Sequence, residues 1–513
     1  MMRKVMKRFF SYIPKKQKQQ KEEEGEDLIS HLPEEILHII ISKLSLRDAT
    51  VTTAVSKRWS LLFPTLPSLK IDAFSFKPLY PKIEWIDFNR FPYKPVCAKT
   101  KWINALFSVL KSRKTPVKKF EIAVEILNDD FYEVFHWLCG NGVEELVIKN
   151  CDFPRSIFLH TFRMSQFFEP YQIPSQVFSC NTIVKLEIVN CHVVLPSKFT
   201  GLQKLKSLVL SNVTLTDRHL RRMISGCKAL EKLAILTNCF KFHNIVIRAP
   251  LLSELVISLH TLVGISLKFR RMPQLASVAV SFGFNSEFWE RYGLPKEHMN
   301  TSGQIDSSPS QFEDVSEGND ETTNLVSFLN EFCGVKDLRL DFSNEYCMAL
   351  AEEGIVLPTI LSPEFYLVEL KKLCLCWPSN CHTSDKIISY LLNISPHLME
   401  IIIHVEQNCY PDAPELDFWD KQLPAECVKH HLTTATFHLD SYYMSEYCFR
   451  FPKFLLLNAK NLNSINILYT LRNMQYESEE AKKINKLLTM NMASSDVGIT
   501  IKPIIPRYNV SWC

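Results

Sequence analysis

Near the start of the chain, apolar side chains fall at helical spacing. Leu37, Ile40, Ile41 and Leu44 stand at i, i+3, i+4 and i+7, which lays one apolar stripe along a helix. Pro33 suits the first turn of that helix, where a missing N–H costs nothing, and Glu34 and Glu35 set negative charge against its positive end. Ser45, with Asp48 three residues on, has capping-box spacing for a second helix, and a third carries Trp59. Further on the period changes. Apolar-x-x-apolar-x-apolar triplets recur as Leu66/Leu69/Ile71, Val117/Phe120/Ile122, Val143/Leu146/Ile148, Ile183/Leu186/Ile188, Leu205/Leu208/Leu210 and Leu230/Leu233/Ile235. They continue as Leu252/Leu255/Ile257, Leu275/Val278/Val280, Val335/Leu338/Leu340, Leu370/Leu373/Leu375, Leu398/Ile401/Ile403 and Leu462/Ile465/Ile467. The last two positions of each triplet alternate with other residues, as on a strand with one buried face.

A chain that is 46% hydrophobic produces such triplets by chance, so their spacing carries the argument. From Ile183 they begin at 183, 205, 230, 252 and 275, in steps of 22, 25, 22 and 23 residues. These steps lie within the roughly 20 to 29 residues of a leucine-rich repeat, whose units stack strand on strand into an arc. Such a repeat sets Asn or Cys three residues after its last apolar position. Cys151, Cys191 and Asn238 fall there, and Val213 departs. The cysteines read as buried small residues rather than ligands or nucleophiles. Asp217 to Cys227 and Asp385 to Leu392 have helical spacing and are expected on the outer face.

Residues 27 to 63 combine a Leu32-Pro33 start, a short apolar helix and a Ser-Lys-Arg-Trp finish at Trp59, and in this they resemble an F-box. About forty residues with more apolar surface than they can hide are marginal alone and need a partner. In the F-box family that partner is a Skp-type adaptor, which links the chain to a cullin scaffold and a ubiquitin-conjugating enzyme. The resemblance carries adaptor binding onto Leu32, Pro33, Ile36, Ile40, Leu44, Val55, Lys57, Arg58 and Trp59. Leu37, Ile41 and Trp59 have a second reading, as packing within the helical unit.

The other end has its own resemblance. Pro424, Cys427, Leu432 and the strand-like Thr433 to Leu439 are followed by an apolar helix and a strand between Phe451 and Ile467. This is similar to the FBD module of plant F-box/leucine-rich-repeat proteins, whose Asn-Ala-x-x-Leu element is matched by Asn458, Ala459 and Leu462. It is expected to cap the last repeat.

The fold class expected is therefore α/β. A three-helix F-box (27–65) precedes an irregular leucine-rich-repeat solenoid (66–423) with a parallel sheet on its concave face and helices outside. An FBD-like cap (424–470) and an extension (471–513) follow. Steps of 40 residues (143 to 183) and 60 (275 to 335) imply insertions, and the polar, acidic stretch 294–323 reads as a disordered loop. Residues 1–26, basic until Glu22, read as a disordered tail.

Composition narrows the function. A net charge of +4 over 513 residues implies no nucleic-acid surface. No apolar run reaches the roughly 20 residues that span a bilayer, and no membrane partner is expected. The 16 cysteines lack zinc-ribbon spacing, which points to free thiols in a reducing nucleus or cytoplasm, with no metal and no cofactor. There is no phosphate loop, His-Glu-x-x-His or nucleophile elbow, and only 13 glycines, so no catalytic residue is expected. His430 and His431 read as ordinary strand residues rather than a metal pair. The residue between the last two apolar positions of each triplet should point out of the concave face. Val147, Glu187, Val209, Ala234 and Val256 are the candidates for binding a protein target, with Ala279 and Arg339 in the same row. By resemblance the chain is a substrate receptor of an SCF-type ubiquitin ligase, its target unknown. The alternative is a scaffold that docks the adaptor and delivers nothing.

Overall fold

The computed structural model describes residues 32–44, 46–52, 57–72, 96–111, 113–124, 131–150, 171–236, 244–259, 266–269, 272–282, 321–342, 357, 366–378, 382–406, 417–439, 449–470 and 492–504. They fall into two units, one holding the described residues through Leu230 and the other those from Glu231. The basic tail, residues 294–320 of the polar insertion, Val55, Cys151 and Asn238 lie outside the described residues.

In the first unit, three helices come first: α1 (Glu34–Ser42), α2 (Leu46–Thr52) and α3 (Lys57–Leu62). Pro33 stands one residue before α1 as its cap, and its carbonyl accepts from the amides of Ile36 and Leu37 at 3.1 Å each. Leu37 and Ile41 fill the centre of the helical unit, 0% and 1% exposed, with Leu46 and Trp59 against them in the core. A 3-10 turn, Phe63–Thr65, leads into β1 (Ser68–Asp72). Then follow α4 (Val96–Lys111), β2 (Lys119–Val124), α5 (Tyr132–Gly140), β3 (Glu145–Asn150), β4 (Tyr171–Gln172), β5 (Lys185–Val189), β6 (Cys191–His192), β7 (Ser207–Ser211) and α6 (Asp217–Gly226).

Strands β1, β2, β3, β5 and β7 pair in parallel in that order. Leu69, Phe120, Leu146, Leu186 and Leu208 lie side by side in register, as do Ile71, Ile122, Ile148, Ile188 and Leu210. Each of these is buried, so the triplets mark the inward rows as their spacing predicts. The turn that ends each strand departs from the expectation. Its polar ladder sits one residue earlier, at Asn150, Asn190 and Asn212. Asn190 donates to the Asn150 carbonyl at 3.0 Å, and Asn212 donates to Asn190 Oδ1 at 2.6 Å. Asn190 and Asn212 adopt φ of 55° and 47°, a left-handed conformation that asparagine tolerates better than most residues. Cys191 and Val213, one position later, are both 0% exposed, and the Cys191 thiol donates to the Val189 carbonyl at 3.2 Å. At Gly201, φ is +99° and a Cβ would collide with the Gly226 carbonyl, so this crossing of loop and α6 admits only glycine.

The second unit carries β8 (Lys232–Leu236), β9 (Asn244–Ile247), β10 (Glu254–Leu259), β11 (Ser266–Phe269), β12 (Ser277–Phe282), α7 (Glu321–Asn330), β13 (Asp337–Phe342), β14 (Lys372–Pro378) and α8 (His382–Ile394). It ends with β15 (Glu400–Glu406), α9 (Phe418–Lys421), α10 (Glu426–His430), β16 (Thr434–Leu439), α11 (Arg450–Asn458), β17 (Ser464–Thr470) and β18 (Gly498–Ile504). Its sheet runs β8, β10, β12, β13, β14, β15, β16, β17, β18, parallel throughout. The short strands β9 and β11 pair separately.

Three expectations are corrected here. Glu321 to Thr323, read as the end of a disordered loop, have helical backbone as the first residues of α7. His430 closes the short helix α10, 3.6 Å from Glu426 one turn back, and His431 follows it in a turn. Neither histidine is on a strand, because the chain reaches Thr434 before β16 begins. The FBD-like segment supplies β16, α11 and β17 as predicted, with Asn458 ending the helix and Ala459 and Leu462 buried beneath it. It is not the end of the sheet, since β18 from the extension adds one more strand.

Candidate functional site

Two surfaces answer to the residues picked from the sequence. The first is the helical unit 32–65. Helix α1 is apolar on more than one side: Leu37 and Ile41 face inward, while Ile36 and Ile39 remain 42% and 56% exposed. Pro33 is exposed beside them, and Leu32, Ile40 and Leu44 are half-buried. Helix α3 adds Leu61 at 61% exposure, and α2 adds Val51 at 40%. Solvent-facing aliphatic side chains on so small a unit are what a docking surface supplies. Arg58 fixes the start of that surface by donating from Nη2 to the Leu32 carbonyl at 2.7 Å. Trp59 is buried, so its indole packs the unit, in line with the second reading of that residue. The backbone of Lys57 opens α3, and Val55 lies outside the described residues. Ile39, Val51 and Leu61 are not among the residues picked from the sequence. The signal for Ile39 is the unbroken run from Ile39 to Ile41, too apolar for a single stripe.

Arg113 secures this unit to the first repeat. Its guanidinium donates to the carbonyls of Leu66 and Phe63, and the amides of Lys118 and Lys119 donate to the Pro67 carbonyl at 2.8 and 3.0 Å. Burial brings Arg113 down to about 10, which still leaves it charged at neutral pH. Hydrogen bonds therefore tie the turn that leaves the helical unit to the first repeat.

The second surface is the solvent face of the sheets. In the first unit, Val147, Glu187 and Val209 lie in one register row and are half-buried. Glu187 pairs with Lys149 at 2.9 Å, and Lys149 itself is buried. In the second unit Ala234 is half-buried, but Val256 is only 4% exposed, and Ala279 and Arg339 in the same row are 3% and 7% exposed. The expectation that this row points to solvent fails at Val256, Ala279 and Arg339, while Ile402 and Thr436 further along the row are half-buried. Arg339 belongs to a buried polar cluster of this sheet. Asp341 is fully buried and accepts from Arg339 Nε and Nη2 at 3.2 and 3.1 Å, while Arg339 Nη1 lies 3.4 Å from Cys374 Sγ.

The cluster follows the register. Asp341, Cys376, His404 and His438 occupy one row on four successive strands, and the rings of His404 and His438 stack at 4.2 Å and 11°. Burial, then the neighbouring His438 and Arg339, hold His404 down to about 3, and burial with Arg339 also lowers His438. Both imidazoles are neutral. Burial pushes the Cys374 thiol up to about 11 despite Arg339. Among the described residues no group of three or more His, Cys, Asp or Glu is arranged to hold a metal ion. None of their helices is long and apolar enough to cross a membrane.

Comparisons with known proteins agree with this arrangement. Residues 29–70 match the F-box domain, and residues 132–287 match the leucine-rich repeats of FBD-associated F-box protein At5g56370. The F-box/FBD/LRR-repeat protein At1g13570 of Arabidopsis thaliana is 26% identical over 214 residues, 41% of this chain and 44% of that protein. The F-box/LRR-repeat protein At3g58900 of the same plant is 27% identical over 237 residues, 46% of this chain and 65% of that one. F-box/LRR-repeat protein At5g02910, also from Arabidopsis thaliana, is 27% identical over 216 residues, 42% and 39% of the two chains. The chain thus spans less than two thirds of each of these relatives. It carries an F-box followed by leucine-rich repeats and is similar to F-box/LRR-repeat proteins of Arabidopsis thaliana.

Proposed function

We propose that this chain is the substrate receptor of an SCF-type ubiquitin ligase in the nucleus or cytoplasm. The F-box would hold a Skp-type adaptor, and through it a cullin scaffold, while the repeats hold a protein target. The observation that carries this reading is the F-box match at residues 29–70, on a helical unit that fills its own core with Leu37, Ile41 and Trp59 and still presents Ile36, Ile39 and Leu61 to solvent. In this reading the chain forms no bonds itself. It raises the effective concentration of target at an enzyme carried by other subunits. Target contacts are assigned to Val147, Glu187 and Val209 on the first unit and Ala234 on the second.

Reconstitution tests it. The purified chain should bind a Skp-type adaptor and, with the remaining ligase subunits, conjugate ubiquitin to proteins recovered by proximity labelling while degradation is blocked. Adaptor binding without conjugates would favour a scaffold. No adaptor binding would overturn the proposal.

A further inference from the structure

We propose that β18 pairs with the same strand of a second copy of this chain, antiparallel about a two-fold axis at Thr500. Among the described residues β18 pairs with β17 and ends the sheet, its other edge carrying no strand. The inner face is open at that end. Ile465 and Ile467 on β17 are 0% and 1% exposed, whereas Ile499 and Ile501, their register partners on β18, are only half-buried. An edge with unpaired backbone and partly uncovered apolar side chains is a template for another strand.

The phase of β18 is set by the Gly498 amide, which donates to the Asn463 carbonyl at 2.9 Å. In a parallel ladder alternate residues turn both backbone groups to one neighbour, so Gly498, Thr500 and Lys502 serve β17 while Ile499, Ile501 and Pro503 face outward. Pro503 therefore stands where β17 needs no N–H, the place proline takes on an edge strand. It also confines any added strand, because past Ile501 the edge offers an acceptor and no donor.

The stretch that remains is complementary to itself. With Thr500 on the axis, Ile499 of one copy lies opposite Ile501 of the other, and each such pair exchanges both backbone bonds. The axis stands normal to the sheet, so the isoleucines of both copies share the inner face and cover one another. On the other face Thr500 meets Thr500, a favourable cross-strand pair, and Lys502 lies opposite Gly498, with no like charge against it. Antiparallel order also brings the Lys502 end of one strand to the Asp496 end of the other, so opposite charges meet on both sides of the axis. An extended peptide of another protein would gain the backbone bonds without this match of side chains, and a second copy is therefore the occupant.

This inference is independent of the ligase reading, and the full-length chain tests it alone. Sedimentation from nanomolar to high micromolar concentration should show the mass doubling, with a dissociation constant in the micromolar range, since so short an interface is weak. Ile501→Pro sets a second proline in an outward slot. It leaves the ladder to β17 whole, removes bonds across the axis, and should keep the chain monomeric at every concentration. Thr500→Lys places like charges on the axis and should act the same way without altering the backbone, so a misfolded proline variant does not remove the test. Thr500→Cys should cross-link two copies through position 500 under mild oxidation, in a peptide pair absent from oxidised wild type. In the wild type, the amides of Ile499 and Ile501 should exchange quickly in dilute solution and slow as the copies pair, while those of Thr500 and Lys502 stay protected throughout. A chain that remains monomeric at high micromolar concentration would overturn the proposal, as would a dimer that neither Ile501→Pro nor Thr500→Lys weakens. Slow exchange of Ile499 and Ile501 already in the dilute monomer would overturn it too, because the chain's own residues would then cover the edge.

Discussion

The side-chain amide of Asn212 donates to Asn190 Oδ1 at 2.6 Å, while Asn190 turns its own amide to the Asn150 carbonyl at 3.0 Å. Three successive repeats of the first unit are therefore closed by one chain of hydrogen bonds, and Asn190 is its middle link. Replacing Asn190 with Ala removes both bonds and places a Cβ-bearing residue with no local polar group at φ 55°, at a cost of about 2 to 4 kcal/mol. Asn190→Gly restores the conformational part and leaves only the lost bonds. Thermal melts of the two variants should rank wild type above Gly and Gly above Ala.

The helical unit separates core from docking surface residue by residue. Leu37→Ala or Ile41→Ala should cost about 2 to 5 kcal/mol, since each side chain is almost fully enclosed. Ile36→Ser, Ile39→Ser and Leu61→Ser should change stability by less than about 0.5 kcal/mol. Each should weaken capture of a Skp-type adaptor by roughly tenfold or more. Denaturant titration and pull-down, run on both sets, should give opposite patterns.

Glycine is required at one loop and convenient at another. Gly201→Ala drives a methyl group into the Gly226 carbonyl and should lower soluble yield and the thermal midpoint sharply. Gly142, at φ +78°, has open space within 4 Å of where a Cβ would stand, so Gly142→Ala should cost only the left-handed conformation, about 1 to 2 kcal/mol.

Acid should loosen the second unit through its stacked histidines. His404 titrates at about 3 in the fold against 6.5 for an ordinary histidine, and His438 is lowered too. A depressed histidine stabilises fully above 6.5, and that contribution drains away as pH falls from there toward 3. The neighbouring His438 and Arg339 both oppose its protonation. Melting curves between about pH 8 and 5 should therefore slope less for His404→Asn/His438→Asn than for the wild type.

Val209 and Val256 occupy equivalent positions in the repeat pattern, yet one is half-buried and the other nearly enclosed. Val256→Ser should cost about 1 to 2 kcal/mol, and Val209→Ser little, as read by thermal melts.

Much of the architecture is legible in the sequence because the solenoid repeats one physical requirement. Two inward side chains per strand must be apolar, and every triplet from Leu66 to Leu462 lies in the buried rows. Strand β18 escapes the pattern where that requirement lapses: Asp496 stands three residues before Ile499, in place of an apolar leader. The turn ladder is displaced by one residue from its expected place because Cys191 fits the repeat's usual pattern, while φ at Asn190 cannot be seen in a sequence. The burial of Val256 and Arg339 is hidden for another reason. Alternation tells which face a side chain is on, but not that Arg339 turns back on its own strand to Asp341 and reaches Cys374 on the next. The Leu-Pro start of the F-box is plain, whereas the exposure of Ile39 and Leu61 depends on which side of each short helix the core takes.

Charge alternates along one row of the first sheet: Lys119 on β2 pairs with Glu145 on β3 at 3.6 Å, and Glu145 pairs with Lys185 on β5 at 3.1 Å. Each pair contributes little, about 1 kcal/mol or less, but like charges in register cost a similar amount. Excision of the single repeat bearing Glu145 would set Lys119 beside Lys185. Excision of that repeat together with the next would set Lys119 beside the neutral Ser207. The row thus disfavours loss of the Glu145 repeat alone, a small constraint on how such an array can shorten during descent.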